Sequence, residues 1–175
     1  MKRINLLLGT LTIAALGFTS CSGDDDNNND VSIAGTYELE EVNTEAATDF
    51  DQNGTPHIDQ TEESGCYDDG EITLREDGTF TYIITGILVN EATGTSGCAS
   101  SYPASGTWEA DGTGNNAVIS AAYKDQNGDD QIITLAKSGK KLTLVDNNIL
   151  SRYPDRNSAG GAIYTSGSTT YVFER

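Results

Sequence analysis

The chain is expected to be all-β, with eight antiparallel strands in up-and-down order closed into a barrel; a β-sandwich of similar strand count is the alternative. Three observations lead there. Almost every apolar stretch alternates with period two, which turns one strand face to a core and the other to water. No segment carries the spacing of a good amphipathic helix. Short connections alternate with long ones, which supports a meander, where alternate connections lie at opposite ends.

Taken in order, strands are expected at Ile33 to Thr44, Gly70 to Glu76, Thr79 to Val89 and Ser105 to Asp111. They continue at Ala117 to Lys124, Gln131 to Lys137, Lys141 to Asp146 and Thr169 to Arg175, the last preceded by a short piece at Ala162 to Tyr164. Asp77-Gly78, the stretch around Gly112 and Gly114, and Ser138-Gly139-Lys140 fit hairpin turns. The remaining connections are longer and should gather at one rim. Closure of eight strands would leave no exposed edge.

Alternation nominates an inward face: Tyr37, Leu39, Ile72, Leu74, Phe80, Tyr82, Ile84, Trp108, Ile133, Leu135, Leu142, Leu144, Tyr171 and Phe173. Val118 and Ile119 fall on opposite faces and leave the fifth strand's parity open. Core packing is the default role of all these residues. If the interior is open, Tyr37, Phe80, Tyr82, Trp108 and Phe173 are the expected ligand contacts, and small residues such as Ser120 or Ala122 would make room.

The first residues point to export. Met1-Lys2-Arg3 is a positive start, and the interrupted apolar run from Leu6 to Leu16 is too short for a permanent membrane span. Phe18-Thr19-Ser20-Cys21 resembles the lipobox of bacterial lipoprotein signals, cut so that the cysteine becomes the acylated first residue. Residues 1–20 are thus expected to be a signal peptide, Cys21 the lipid attachment site, and 21–32 a lipidated, flexible acidic tether before a barrel domain at 33–175. The lipid on Cys21 would make the membrane a partner. The run Ser22 to Asp30 has no apolar residue with which to order itself. It resembles the signal that exports some Gram-negative lipoproteins to the outer-membrane surface. The expected location is the outer membrane, exposed at the cell surface or, alternatively, facing the periplasm.

Charge narrows the partners. The chain has 27 Asp and Glu against 10 Lys and Arg, and losing Lys2 and Arg3 with the leader takes the formal charge from −17 to −19. Nucleic acid and anionic headgroups should be repelled. A monomer is expected. With Cys21 acylated, Cys66 and Cys98 remain in an oxidising compartment and are expected to form a disulfide. They flank the second and third strands, so the bond would staple the long-loop rim, away from the tether.

Several short motifs share an order. Gly35-Thr36-Tyr37 on the first strand resembles the lipocalin G-x-W pattern, and Phe173-Glu174-Arg175 resembles the terminal strand whose Arg lies over that aromatic. Between them come Asp49-Phe50-Asp51-Gln52-Asn53-Gly54-Thr55, Gly65-Cys66-Tyr67-Asp68-Asp69, Glu76-Asp77-Gly78-Thr79-Phe80, the second cysteine and Ser105-Gly106-Thr107-Trp108. Together they resemble the lipocalin-like lipoproteins of Gram-negative bacteria over most of Ile33 to Val145. The resemblance implies a cup able to hold an apolar ligand, with the long segment after the first strand as a lid. It leaves open whether the interior is hollow or filled.

Asp49, Asp51 and Asn53 alternate and precede Gly54, which is how a calcium loop opens. Its twelfth position is Gln60 rather than a bidentate Glu, so Asp59, Glu62 or Glu63 would have to serve. Calcium is therefore the candidate cofactor, with Asp49, Asp51, Asn53 and Asp59 as ligands. The competing reading is an Asx-rich turn. Asp125 to Asp130 reads first as a hairpin turn.

No catalytic residues are expected. His57 is the only histidine, G-x-S-x-G is absent, and no Cys/His zinc pattern occurs. The function expected is a non-catalytic envelope binding module holding a small, partly apolar ligand. The alternative is a surface interaction or structural lipoprotein with a solid barrel.

Overall fold

The computed structural model describes residues 32–146 and 151–175. The strands are β1 (Gly35–Thr48), β2 (His57–Asp59), β3 (Glu71–Leu74), β4 (Thr79–Ile84), β5 (Ile87–Asn90), β6 (Thr95–Cys98) and β7 (Tyr102–Thr113). They continue with β8 (Asn116–Lys124), β9 (Asp130–Ser138), β10 (Lys141–Asp146), β11 (Arg152–Arg156), β12 (Ala162–Ser166) and β13 (Thr169–Glu174). One turn of 3-10 helix covers Gly65–Tyr67.

Eight of these strands form the barrel, in the order β1, β3, β4, β7, β8, β9, β10, β13, each antiparallel to the next. β13 then pairs with β1 from Glu38↔Glu174 to Thr44↔Thr169 and closes the ring, which excludes the sandwich. The eight barrel strands match the expected set and its order.

The differences lie at the open end. The third expected strand stops at Ile84 rather than Val89. Beyond Thr85-Gly86 the chain leaves the barrel, and Ile87–Asn90 pairs with Thr95–Cys98 instead. Ile87 and Val89 are buried there in a separate apolar cluster, so their alternation serves a different core. The short expected piece at Ala162 to Tyr164 is one arm of a full hairpin, β11–β12. β1 extends to Thr48 because β2 pairs beside it once β13 has begun at Thr169.

The lower half of the barrel is filled. Tyr37, Ile72, Leu74, Phe80, Ile119, Leu135, Leu142 and Phe173 are all buried in one cluster, each contributing about 1.5–3 kcal/mol by leaving water. The parity of β8 is settled there: Ile119 is wholly buried and Val118 is 50% exposed. Ser120 and Ala122 consequently face outward and do not open the interior, because Ile119 and Ala121 claim the inner face.

Three devices shut this end. Gly78 adopts φ +80 in the β3–β4 turn, a conformation that suits glycine. The Trp108 indole Nε1 donates to the Arg75 carbonyl at 3.0 Å, laying the ring over that turn. Lys137 points inward with Leu135, is 3% exposed, and donates from Nζ to the carbonyls of Gly114 and Gly139, both at 2.6 Å. Nearby, the Arg175 guanidinium sits 5.3 Å from the centre of the Tyr37 ring and donates to the Ala34 carbonyl at 2.7 Å. A Cβ on Gly35 would fall on that guanidinium, so glycine is what lets it cross β1.

The long connections cap the opposite end. Val42, Phe50, Tyr67, Ile87, Val89 and Ala162 bury one another, with Leu39 and Tyr171 of the barrel packed against them. Tyr164 links the two hairpins, its hydroxyl donating to the Ile87 carbonyl and accepting from the Val89 amide, both at 3.2 Å. Cys66 and Cys98 are disulfide-bonded with Cα atoms 5.0 Å apart, joining the 3-10 turn to β6 at this rim, as expected.

Candidate functional site

The cap covers only part of the mouth. It leans on β1 and β13 through Val42, Leu39 and Tyr171. On the other side, above the filled half, Tyr82 and Ile84 of β4, Tyr123 of β8, Ile133 of β9, Leu144 of β10 and Tyr171 of β13 line a hollow of about 500 Å³. A second hollow of about 360 Å³ shares Ile84 and Tyr123 and reaches Tyr102, Asp125, Gln126 and Asn127. Both volumes lie in the range of small-molecule sites, which are mostly apolar with a few polar groups at one side.

The strand register explains the larger hollow. β9 and β10 pair only from Lys141↔Ser138 to Leu144↔Leu135. Beyond that point β9 continues to Asp130 beside β8, and β10 continues to Asp146 beside β13. The two strands part, so the hollow reaches the wall between them, bordered by Ile132, Thr134 and Val145. Ile132 is 71% exposed at this opening.

Burial acts on the tyrosines of the mouth and of the cap. Burial pushes the Tyr123 phenol above its ordinary value, helped by Asp125 and Tyr102. Burial does the same to Tyr67 in the cap, where Tyr171 and Tyr164 add to it.

Of the five expected ligand contacts, only Tyr82 borders this hollow. Tyr37, Phe80 and Phe173 are wholly enclosed in the filled half, and Trp108 covers the closed end. Ile84, Ile133, Leu144 and Tyr171 were legible as inward residues, yet nothing in the sequence tells which inward layer stays open. Tyr123 was missed because the parity of its strand was unresolved.

The acidic lid places the expected metal ligands as follows. Asp49 and Asp51 come together with Glu63, one ligand oxygen of each lying within 4.8 Å of the others. Asn53 stays beside them but spends its side chain within the loop: Nδ2 donates to Asp51 Oδ2 and Oδ1 accepts from the Thr55 amide. Asp59 is turned away. Its Oδ1 accepts from the amides of Val42 and Thr61, tying β2 to β1, and this removes it from the ligand set. Gln60, the twelfth position, is buried against Thr48. In the other acidic turn, Asp125 Oδ1 accepts from the amides of Asn127 and Asp129, as a hairpin turn requires. The segments expected to be a signal peptide and a tether, with Cys21 between them, lie outside the described residues up to residue 31.

Comparison with known proteins agrees with this architecture. A family model described as a lipocalin-like domain matches residues 33–144, well over half of the chain. Searches of curated proteins and of solved structures returned no match. The closed eight-stranded barrel, the Arg175–Tyr37 stack at its sealed end and the family match over most of the strands agree, and the chain belongs to the lipocalin-like domain family.

Proposed function

We propose that this chain is an envelope lipoprotein whose barrel mouth holds one small, partly apolar ligand and does no chemistry on it. The observation that carries the reading is the hollow lined by Tyr82, Ile84, Tyr123, Ile133, Leu144 and Tyr171 above a filled lower barrel. Aliphatic side chains interspersed with tyrosine rings suit a short acyl chain or a flat ring. The polar rim at Asp125, Gln126 and Asn127 suits a hydroxyl or amine at the ligand's outer end. At roughly 25 cal/mol per Å² of apolar surface removed from water, a ligand burying about 200 Å² would gain about 5 kcal/mol before ordering costs.

Anchoring at Cys21 is part of the proposal. It is supported by the order of a positive start, an apolar run, a cysteine and an acidic spacer. Gly35 pairs with Leu74 beside the β3–β4 turn, so the described chain begins at the sealed end. A tether joined there would hold the mouth away from the membrane, whichever compartment it faces.

Native mass spectrometry of the protein purified from its own host tests the proposal. The expected spectrum shows a one-to-one adduct of a few hundred daltons that dissociates in organic solvent. A bare polypeptide mass under gentle conditions, together with no binding of an apolar fluorescent probe, favours the solid-barrel interaction protein instead.

A further inference from the structure

The acidic lid contains more carboxylate than the protein itself neutralises. Glu63 is 3% exposed, and its Oε2 accepts from the amides of Phe50 and Asp51 at 2.7 and 3.2 Å, while Oε1 accepts from the His57 amide at 3.1 Å. These bonds aim a buried carboxylate at Asp49 and Asp51. Asp49 Oδ2 accepts from the Gly54 amide at 3.0 Å, which closes the loop. Asp49 Oδ1 is buried from solvent and has no hydrogen-bond partner. A carboxylate oxygen in that state is costly unless a cation meets it.

Among the described residues no cationic side chain bonds to these three carboxylates. Arg156, which reaches the backbone between Asp49 and Asp51, is committed elsewhere. Its Nε donates to the Phe50 carbonyl at 2.8 Å and its guanidinium lies 4.3 Å from the centre of the Phe50 ring. Asp49 Oδ1 is thus left without a cationic side chain bonded to it. All the converging donors are oxygens, which suits a hard divalent ion, and the loop's mixed spacing suits calcium's tolerance of irregular geometry better than magnesium's strict octahedron.

We propose that Asp49, Asp51 and Glu63 form a calcium site, with Glu63 closing the loop three residues later than the twelfth position. The bound ion meets Asp49 Oδ1 and one oxygen each from Asp51 and Glu63, and water completes its shell. Because Phe50, between two of the ligands, is part of the cap cluster, calcium fixes the lid against the β11–β12 hairpin. The affinity belongs to the weak extracellular class, with Kd of about 10⁻⁴–10⁻³ M.

The test uses the full mature chain, stripped with chelator and then given calcium chloride or magnesium chloride. Calcium at about ten times Kd should raise Tm by about 3–6 °C and slow amide exchange across residues 49–63. Magnesium at equal concentration should give less than a third of that shift. Asp49→Asn and Asp51→Asn should fold, melt near the stripped protein and lose the calcium response. Glu63→Gln also disturbs the amides it holds, so the two aspartate variants are the decisive ones. No calcium-dependent change in Tm or heat of titration up to about 10 mM, well above the weak-site range, an equal shift with magnesium, or an undiminished response in Asp49→Asn would each overturn the site.

Discussion

Replacing both Cys66 and Cys98 with serine tests how the cap is held to the barrel. The bond joins residues separated by 32 positions. In the chain-entropy model a loop of that length removes about 3.7 kcal/mol of freedom from the unfolded chain at 25 °C. The folded state loses little, because Tyr67 beside one cysteine and Ile87 and Val89 on the hairpin that ends at the other remain buried in the cap cluster. For a domain of about 140 residues, each kcal/mol moves Tm by roughly 3 °C, so the double variant should melt about 10–12 °C lower. Differential scanning calorimetry reads the shift, and urea titration separates its origin. If the bond acts on the unfolded chain, the m-value rises as that chain expands. A fall in Tm of under about 3 °C would refute the entropic account. A second, earlier transition confined to β5 and β6 would show instead that cap packing depends on the bond.

Lys137→Ala should cost about 2–4 kcal/mol, since it strands the carbonyls of Gly114 and Gly139 and leaves a gap in the sealed end; Lys137→Met should recover part of that by restoring the buried stem, and urea melts decide. Hydrogen bonds from Thr79, side chain first and then backbone, hold the Asp77 carboxyl below its usual range, and the Asp129 amide leads in doing the same for Asp125. Their folded-state values are depressed, so what they add to stability is present above the unfolded carboxylate value near 4 and is lost as pH falls through the folded value. Carboxyl carbon shifts followed by NMR should show both titrating below free aspartate. Tyr37, Tyr67, Tyr123 and Tyr153 are all raised. Their contribution is intact below pH 10 and is lost as pH climbs toward the folded values, so absorbance at 295 nm should show late ionisation coinciding with alkaline unfolding.

The barrel was readable because most of its strands follow one rule, apolar inward and polar outward with glycine at the turns; Lys137 inside and Val118 and Ile132 outside are departures from it. The cap was less so. The run Ile83 to Val89 looks like one strand, and only packing shows that Ile87 and Val89 belong to a second core beyond Gly86. The β11 arm, Arg152-Tyr153-Pro154-Asp155-Arg156, carries proline and charges that argue against a strand. It forms because β12 pairs along its whole length and Arg156 reaches Phe50. The parity of β8 could not be read locally, since Val118 and Ile119 are equally apolar; the pairing Ile119↔Leu135 decides it. The same limit left Glu63 as one of three candidates, beside Asp59 and Glu62. Spacing alone nominated Asp59, but that residue's hydrogen bonds to Val42 and Thr61 depend on β2 folding back along β1.

Methyl NMR of the isoleucine and leucine side chains, titrated with a short-chain fatty alcohol or an aromatic alcohol, addresses the open mouth most directly. Shifts should concentrate on Ile84, Ile133 and Leu144, saturate at one equivalent, and leave Ile72, Leu74, Ile119 and Leu142 nearly still. Uniformly absent shifts, or shifts centred on the sealed half, would contradict a barrel that holds its ligand at the mouth.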